Sequence, residues 1–135
     1  MALLPTDVQI EALLNNPPAG SVRMLNLLKF KAQAEYADGS DGGCSNGAEA
    51  YMRDGAALFD GILDSVGATL VFSEPVAAGV IGDATDYDMV AIMQYPNIQA
   101  FLEMTSLPTY KQAALHRDAG LAHQLLICCS GNAPS

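Results

Sequence analysis

An asparagine inside an apolar strand and a histidine-arginine pair ahead of the final strand are the side chains through which this chain could do chemistry. Asn26 lies in the middle of VRMLNLLKFK, from Val22 to Lys31. A buried carboxamide must find hydrogen-bond partners, and the carbonyl or quinone oxygen of a bound molecule would serve as well as an internal group. His116 and Arg117 follow Tyr110 by about two helical turns, so all three could approach one opening. An imidazole titrates near neutrality and is a candidate general base towards an acidic phenol or enol, while Arg117 and Tyr110 could hold the resulting anion. The competing reading of the pair is a solvated cationic cap on a helix C-terminus, and that of Asn26 an internal structural bond.

The candidate substrate-binding set is Asn26 with Met24 and Phe30, which alternate onto one strand face, and Tyr95, which closes the matching run MVAIMQYP. Met89, Met93, Met104, Phe72 and Phe101 suit an irregular apolar cavity because thioethers adapt to shape, and they suit an ordinary core equally well. His123 alternates with Gln124 in the last apolar run and is expected to face the same interior as Asn26. The two histidines lack a carboxylate at ligand spacing, so no metal is expected. Asp83, Asp86 and Asp88 lack the spaced ligands and terminal glutamate of a calcium loop. The glycines of Gly39 to Gly47 form neither a dinucleotide fingerprint nor a P-loop, so no cofactor is expected. There is no G-x-S-x-G elbow, and Cys44 has no evident histidine partner.

Composition narrows the partners. Six Lys and Arg against fifteen Asp and Glu give a net charge of -9, and the six cations are scattered, which disfavours nucleic acid and anionic membrane surfaces. No apolar run approaches the roughly 18 to 20 residues of a membrane span, and the N-terminus lacks the basic segment of a signal peptide, so a cytoplasmic protein is expected. With 135 residues and three cysteines, two of them adjacent, one domain without a disulfide framework is expected. Cys44, in its Gly-rich segment, reads as an exposed and oxidisable thiol. A hydrophobic fraction of 50% against 16% charged residues requires a full core or a partner subunit over part of the surface.

The elements that must position these side chains follow from periodicity and punctuation. Thr6 caps a short helix that Asn15-Asn16-Pro17-Pro18 ends, making residues 1–20 an N-terminal helical extension. Residues 21–130 form the domain, and 131–135 are expected as a disordered tail. The first strand runs from Val22 to Phe30, with apolar residues on both faces, and is therefore central. A flexible surface loop is expected over residues 37–47, then a helix from Ala48 to Val66 with Tyr51, Leu58, Phe59, Ile62, Leu63 and Val66 inward and Arg53, Asp54, Asp60 and Asp64 outward. A strand from Ala68 is interrupted near Pro75 and resumes through Ile81; another spans Tyr87 to Tyr95. Asn97 caps a helix, Pro108 breaks it before a short helical turn through Arg117, and Leu121 to Cys129 is the last strand. The order strand, helix, strand, strand, helix, strand is that of an α+β ferredoxin-like sandwich with both helices on one sheet face.

MLNLLKFK (Met24 to Lys31), YPNIQAFLEM with SLPTYKQA (Tyr95 to Ala113) and HRDAGLAHQLLI (His116 to Ile127) together resemble the family known as domain of unknown function 1330. The resemblance covers nearly all of the chain from Val22 onward. It departs at Tyr87, where many relatives carry tryptophan, and at Gly67, where they carry a glycine pair. It implies a homodimeric α/β barrel in which two sheets pack face to face, a superfamily that includes cofactor-free monooxygenases, muconolactone isomerases and stress-responsive proteins. The function implied is that of a cofactor-independent enzyme acting on a small hydrophobic or phenolic molecule. Under it Asn26 orients an oxygen, His116 moves a proton, and Arg117 with Tyr110 stabilises charge. The alternative is a non-catalytic small-ligand-binding or stress-related dimeric module, whose cavity holds a small ligand or none and in which Asn26 and the histidine-arginine pair are structural.

Overall fold

The computed structural model describes residues 4–83 and 86–130. The chain enters through α1 (Asp7–Asn15), where the Thr6 hydroxyl accepts from the Gln9 N–H at 3.2 Å and the Gln9 side chain accepts from the Thr6 N–H at 2.9 Å. This reciprocal pair satisfies two of the N–H groups that a helix start leaves open. Then follow β1 (Val22–Phe30), α2 (Gly47–Ala57), a π-helical turn over Leu58–Ile62, α3 (Leu63–Ser65), β2 (Thr69–Pro75), β3 (Met89–Tyr95), α4 (Ile98–Ser106), α5 (Pro108–Gly120) and β4 (Leu121–Ser130). The expected 131–135 tail lies outside the described residues.

The strands form one antiparallel sheet in the order β2-β3-β1-β4, which is the ferredoxin-like topology. β1 is central, as its two apolar faces require. Val22, Met24 and Leu28 are buried on the helix side, where Val22 and Met24 join Ile62, Leu63, Tyr95, Ile98, Met104 and Ala113 in the main core. On the other side Leu25 pairs with Ile92 and Ile127, and Leu27 with Val90 and Leu125. The side chains of this second face remain partly or wholly exposed, Leu125 at 45% and Ile127 at 42%. His123 pairs with Lys29 and so lies on this bare face, not with Asn26 as the alternation suggested; Gln124 takes the helix-facing position instead.

Three further expectations are corrected. The helix from Ala48 does not run unbroken to Val66: Asp60 and Gly61 leave helical dihedrals, Gly61 at φ 102°, a conformation open to glycine, and Phe59 is 58% exposed. No strand resumes after Pro75, because β3 begins only at Met89 and residues 77–81 have no strand opposite them; Val80 and Ile81 are exposed. The segment after Pro108 is a full 13-residue helix, in which proline occupies the first turn where its missing N–H costs nothing.

The loop over residues 37–47 is tied down. Gly43 N–H donates to Asp41 Oδ1 at 2.8 Å, Cys44 N–H to the Asp41 carbonyl at 3.0 Å, and Arg53 Nη1 to the Gly42 carbonyl at 2.7 Å. Cys44, expected to be exposed, is buried with Ala34, Ala50 and Ala119 in a small second core against Tyr36. Cys44, Cys128 and Cys129 are all free thiols.

That second core surrounds a three-way backbone junction. Lys31 N–H donates to the Gly120 carbonyl at 2.7 Å, and Gly47 N–H donates to the Lys31 carbonyl at 3.0 Å. The end of β1, the start of α2 and the end of α5 therefore meet without side chains between them. A Cβ on Gly47 would collide with the Lys31 and Gly120 carbonyl oxygens, and one on Gly120 with the Gly47 carbonyl oxygen. Gly120→Ala should accordingly destabilise the fold by about 3 kcal/mol, near the top of the usual overpacking range, because rigid backbone and not a flexible side chain would have to yield. Urea unfolding of parent and variant measures it; a change below about 0.5 kcal/mol, typical of surface substitutions, would contradict the junction's tightness.

Candidate functional site

A cavity of about 180 Å³ lies between the helix layer and the sheet. Its sheet wall is made by Met24 and Asn26 of β1, Ala91 and Met93 of β3, and Gln124 and Leu126 of β4. Tyr51, Asp54 and Leu58 line it from α2 and the π-helical turn, Tyr110 and Arg117 from α5, and Phe101 and Met104 from α4. Phe59, Met52 and Leu70 line it while remaining exposed, so the cavity is open at that side. The lining is mostly apolar, with the ionisable groups Tyr51, Asp54, Tyr110 and Arg117 on the α2 and α5 walls and the amides of Asn26 and Gln124 on the sheet.

Of the candidate residues, Met24, Asn26, Tyr95, Tyr110 and Arg117 line this cavity, and His116 and Phe30 do not. Phe30 packs behind the wall, its ring 5.4 Å from that of Tyr51. The His116 Nδ1 meets the Tyr36 hydroxyl at 2.7 Å, with the rings edge to face at 5.5 Å. It therefore braces the Gly-rich loop. Residues adjacent on a helix are about 100° apart, so Arg117 reaches the cavity while His116 reaches Tyr36.

Asn26 is committed to internal partners. Its Nδ2 donates to the Met24 carbonyl at 3.2 Å and the Ala91 carbonyl at 3.1 Å, and its Oδ1 accepts from Gln124 Nε2 at 2.8 Å. The carboxamide thus ties β4 to β1 and β3 within the cavity floor. Arg117 Nη2 lies 3.3 Å from Asp118 Oδ1. The Tyr95 hydroxyl donates to Met104 Sδ at 3.8 Å. Burial pushes the Tyr51, Tyr95 and Tyr110 hydroxyls above their ordinary range, so all three stay protonated at neutral pH.

The sequence reading assigned Asp54 to the solvated face of its helix; it is only 4% exposed and lines the cavity. Among the described residues, none donates a hydrogen bond to its carboxylate. Desolvation raises its pKa from 3.8 to about 7, with the Arg117 charge pulling it down in part and Asp118 pushing it up. A signal was present: Gly47, Ala50 and Asp54 recur at helical spacing, and these three are the buried residues of α2. The small residues face the close approach to α5 and carry Asp54 inward with them.

Because the folded state holds this proton more tightly than the unfolded chain, Asp54's contribution to stability is greatest below about pH 4, declines to about pH 7 and is level above. At about 1.36 kcal/mol per pKa unit, the loss is at most about 4 kcal/mol. Asp54→Asn removes the titration: it should match the parent near pH 4 and exceed it by up to that amount above about pH 7. Urea unfolding across this range decides it, and parallel pH profiles for the two proteins would exclude a proton-holding Asp54.

Helices on one side of a β2-β3-β1-β4 antiparallel sheet, with a small cavity between the layers, define an α+β protein of ferredoxin-like fold. No family model matches the chain, and a comparison with curated proteins gives no match. The solved structures do. The Rhodopseudomonas palustris protein RPA0582, of unknown function, is 29% identical with a TM-score of 0.84, each chain being covered to 98%. In its methylated form it is 30% identical with a TM-score of 0.87, covering 99% of this chain and 97% of that one. The chain belongs to the family of RPA0582. SnoaB, a cofactor-independent oxygenase from Streptomyces nogalater, shares the fold at TM-score 0.54 and 12% identity, over 86% of this chain and 97% of that one. So does a dimeric ferredoxin-like protein of unknown function from Bacteroides fragilis, at TM-score 0.52 and 8% identity, over 82% and 95%. Among the described residues no helix is long and apolar enough to cross a membrane.

Proposed function

We propose that the chain is a cofactor-independent enzyme acting on a small hydrophobic or phenolic molecule bound in the cavity between α2, α5 and the sheet. The observation that carries this reading is the combination of an apolar chamber of about 180 Å³ with Arg117, Tyr51, Tyr110 and Asp54 on one side of it. Structural cores seldom bring so many ionisable groups to an open apolar space. Met24, Met93, Met104 and Tyr95 hold the ligand's carbon frame, while the Arg117 guanidinium and the protonated Tyr110 hydroxyl stabilise a developing oxyanion. Asn26 contributes by holding Gln124 and the strand edges in place. His116 stands apart from this group, bonded to Tyr36. The fold of SnoaB is consistent with chemistry of this kind, though one fold carries many functions. The resemblance of Met24 to Ile127 to the domain of unknown function 1330 is part of the same proposal.

The test is a screen of single-ring aromatics by ligand-detected NMR against the parent and against Ala91→Leu, which fills the chamber floor without removing a charge. Binding by the parent and its loss in a folded Ala91→Leu are expected. A parent that binds no such compound would end the reading.

The same proposal includes a homodimer formed through the bare sheet face. A face carrying Leu25, Leu27, Phe72, Val90, Ile92, Leu125 and Ile127 is larger than a monomer ordinarily leaves to water, and the Bacteroides fragilis protein of this fold is a dimer. The occupant is a second copy, since identical apolar faces are self-complementary about a two-fold axis. Light scattering should give a dimer for the parent and a folded monomer for Leu125→Lys with Ile127→Lys. A parent that runs as a monomer at micromolar concentration would remove the dimer from the proposal.

A further inference from the structure

Asp54 is a buried carboxylate on the wall of the cavity, and among the described residues no N–H or O–H is directed at it. Each of the other polar groups there has a different standing. The Asn26 amide is bonded to Gln124 and two backbone carbonyls, Tyr95 donates to Met104, and Arg117 meets Asp118. An ionised carboxylate only accepts hydrogen bonds, and withdrawn from water it is costly unless a donor is supplied. The missing donor is thus a property of the site that a ligand can complete.

We propose that Asp54 is the anchoring group of the cavity and that the ligands it selects are single-ring phenols, whose hydroxyl donates to its carboxylate. This rests on the reading of the cavity as a small-molecule site. Size suits the single ring: apolar cavities near 150 Å³ admit benzene, and 180 Å³ holds one ring with a substituent. Chemistry sets the hydroxyl. A carboxylic acid would bring a second anion beside Asp54 and Asp118, and a plain hydrocarbon would leave Asp54 desolvated without a partner. An amine could donate as well, but its cation would have to shed its hydration in a mostly apolar chamber and would meet Arg117 as well as Asp54, whereas a phenol enters uncharged. A phenol keeps the charge of the site unchanged while giving Asp54 its donor and giving the methionines and tyrosines a ring to pack against. In an enzyme of this kind Asp54 then occupies the position of the proton acceptor that His116, turned towards Tyr36, does not.

Phenol and toluene, equal in shape and differing in the hydroxyl, are the probes. At about pH 8 phenol is neutral, since phenolic hydroxyls titrate near 10. Titration of the parent followed by NMR should show phenol binding at least about 10-fold more tightly than toluene, the usual value of a hydrogen bond to a charged group. Asp54→Asn should bring the two within about 3-fold of each other, with toluene bound no more weakly than by the parent, and Asp54→Ser, too short to reach the ligand, should do the same if the amide variant does not fold. Equal affinities in the parent, or a phenol preference that survives both substitutions, would overturn the role of Asp54 while leaving the cavity reading intact. If neither compound binds the folded parent, the cavity reading itself fails and takes this inference with it.

Discussion

The junction at which Lys31, Gly47 and Gly120 share backbone hydrogen bonds sets the separation of α2, α5 and the central strand. Two helices at this distance leave space only for hydrogen or methyl side chains, and Gly47, Ala50, Ala119 and Gly120 provide them. Moving along α2 away from the junction, the next inward position is Asp54; moving back along α5, it is Arg117 and then Ala113 and Tyr110. The helices therefore start in contact and enclose the cavity beyond. The same geometry that closes one end brings a carboxylate and a guanidinium to the other. Below the junction Asp88 fixes the end of β1, accepting from the Phe30 N–H at 2.9 Å and meeting Lys29 at 3.5 Å, so β1 cannot slide relative to the start of β3 without breaking both contacts.

Asp54 shows which electrostatic effect wins at the cavity wall. Arg117 favours its ionised form and Asp118 opposes it, but removal from water outweighs both and leaves the group poised near neutrality. An aspartate in contact with solvent would be fully ionised there and a poor proton acceptor; one sealed inside a core would be neutral and inert. Placement at the edge of an apolar chamber gives the intermediate state. Holding it so costs stability, a cost that natural folds carry at functional positions more readily than elsewhere.

The architecture was legible in the sequence because its signals are local. Val22 to Phe30 alternates into two apolar faces and proves to be the central strand, and Thr6 and Asn97 cap the helices they precede. Gly67, just past the end of α3, takes a positive φ of 73°, a conformation that glycine adopts freely. What failed depended on contacts distant in sequence or on small residues. His116 finds its partner 80 positions away, on a loop whose composition suggested disorder and whose glycines instead let the chain fold back on Asp41 and Arg53. Asp54 was misplaced because a helical face centred on Tyr51, Leu58 and Ile62 weights large side chains, whereas α2 is seated by its smallest ones. Gly61, which ends the helix early, was passed over inside an otherwise periodic segment.

Hydrogen-bond accounting separates the two polar residues that define the site. Asn26 looked functional because an amide in an apolar strand demands partners. The fold supplies all of them, from a carbonyl two residues away, a carbonyl on β3 and the Gln124 amide on β4. Asp54 looked dispensable because charged residues on helices usually meet water, and the fold buries it without supplying a donor from the described residues. A buried polar group that is satisfied tells how strands are held together; one left without a donor beside an open apolar space tells where something else is meant to bind. On that criterion the chemistry of the cavity centres on the α2–α5 wall, and the conspicuous asparagine of the floor is the scaffold that holds the strands opposite it together.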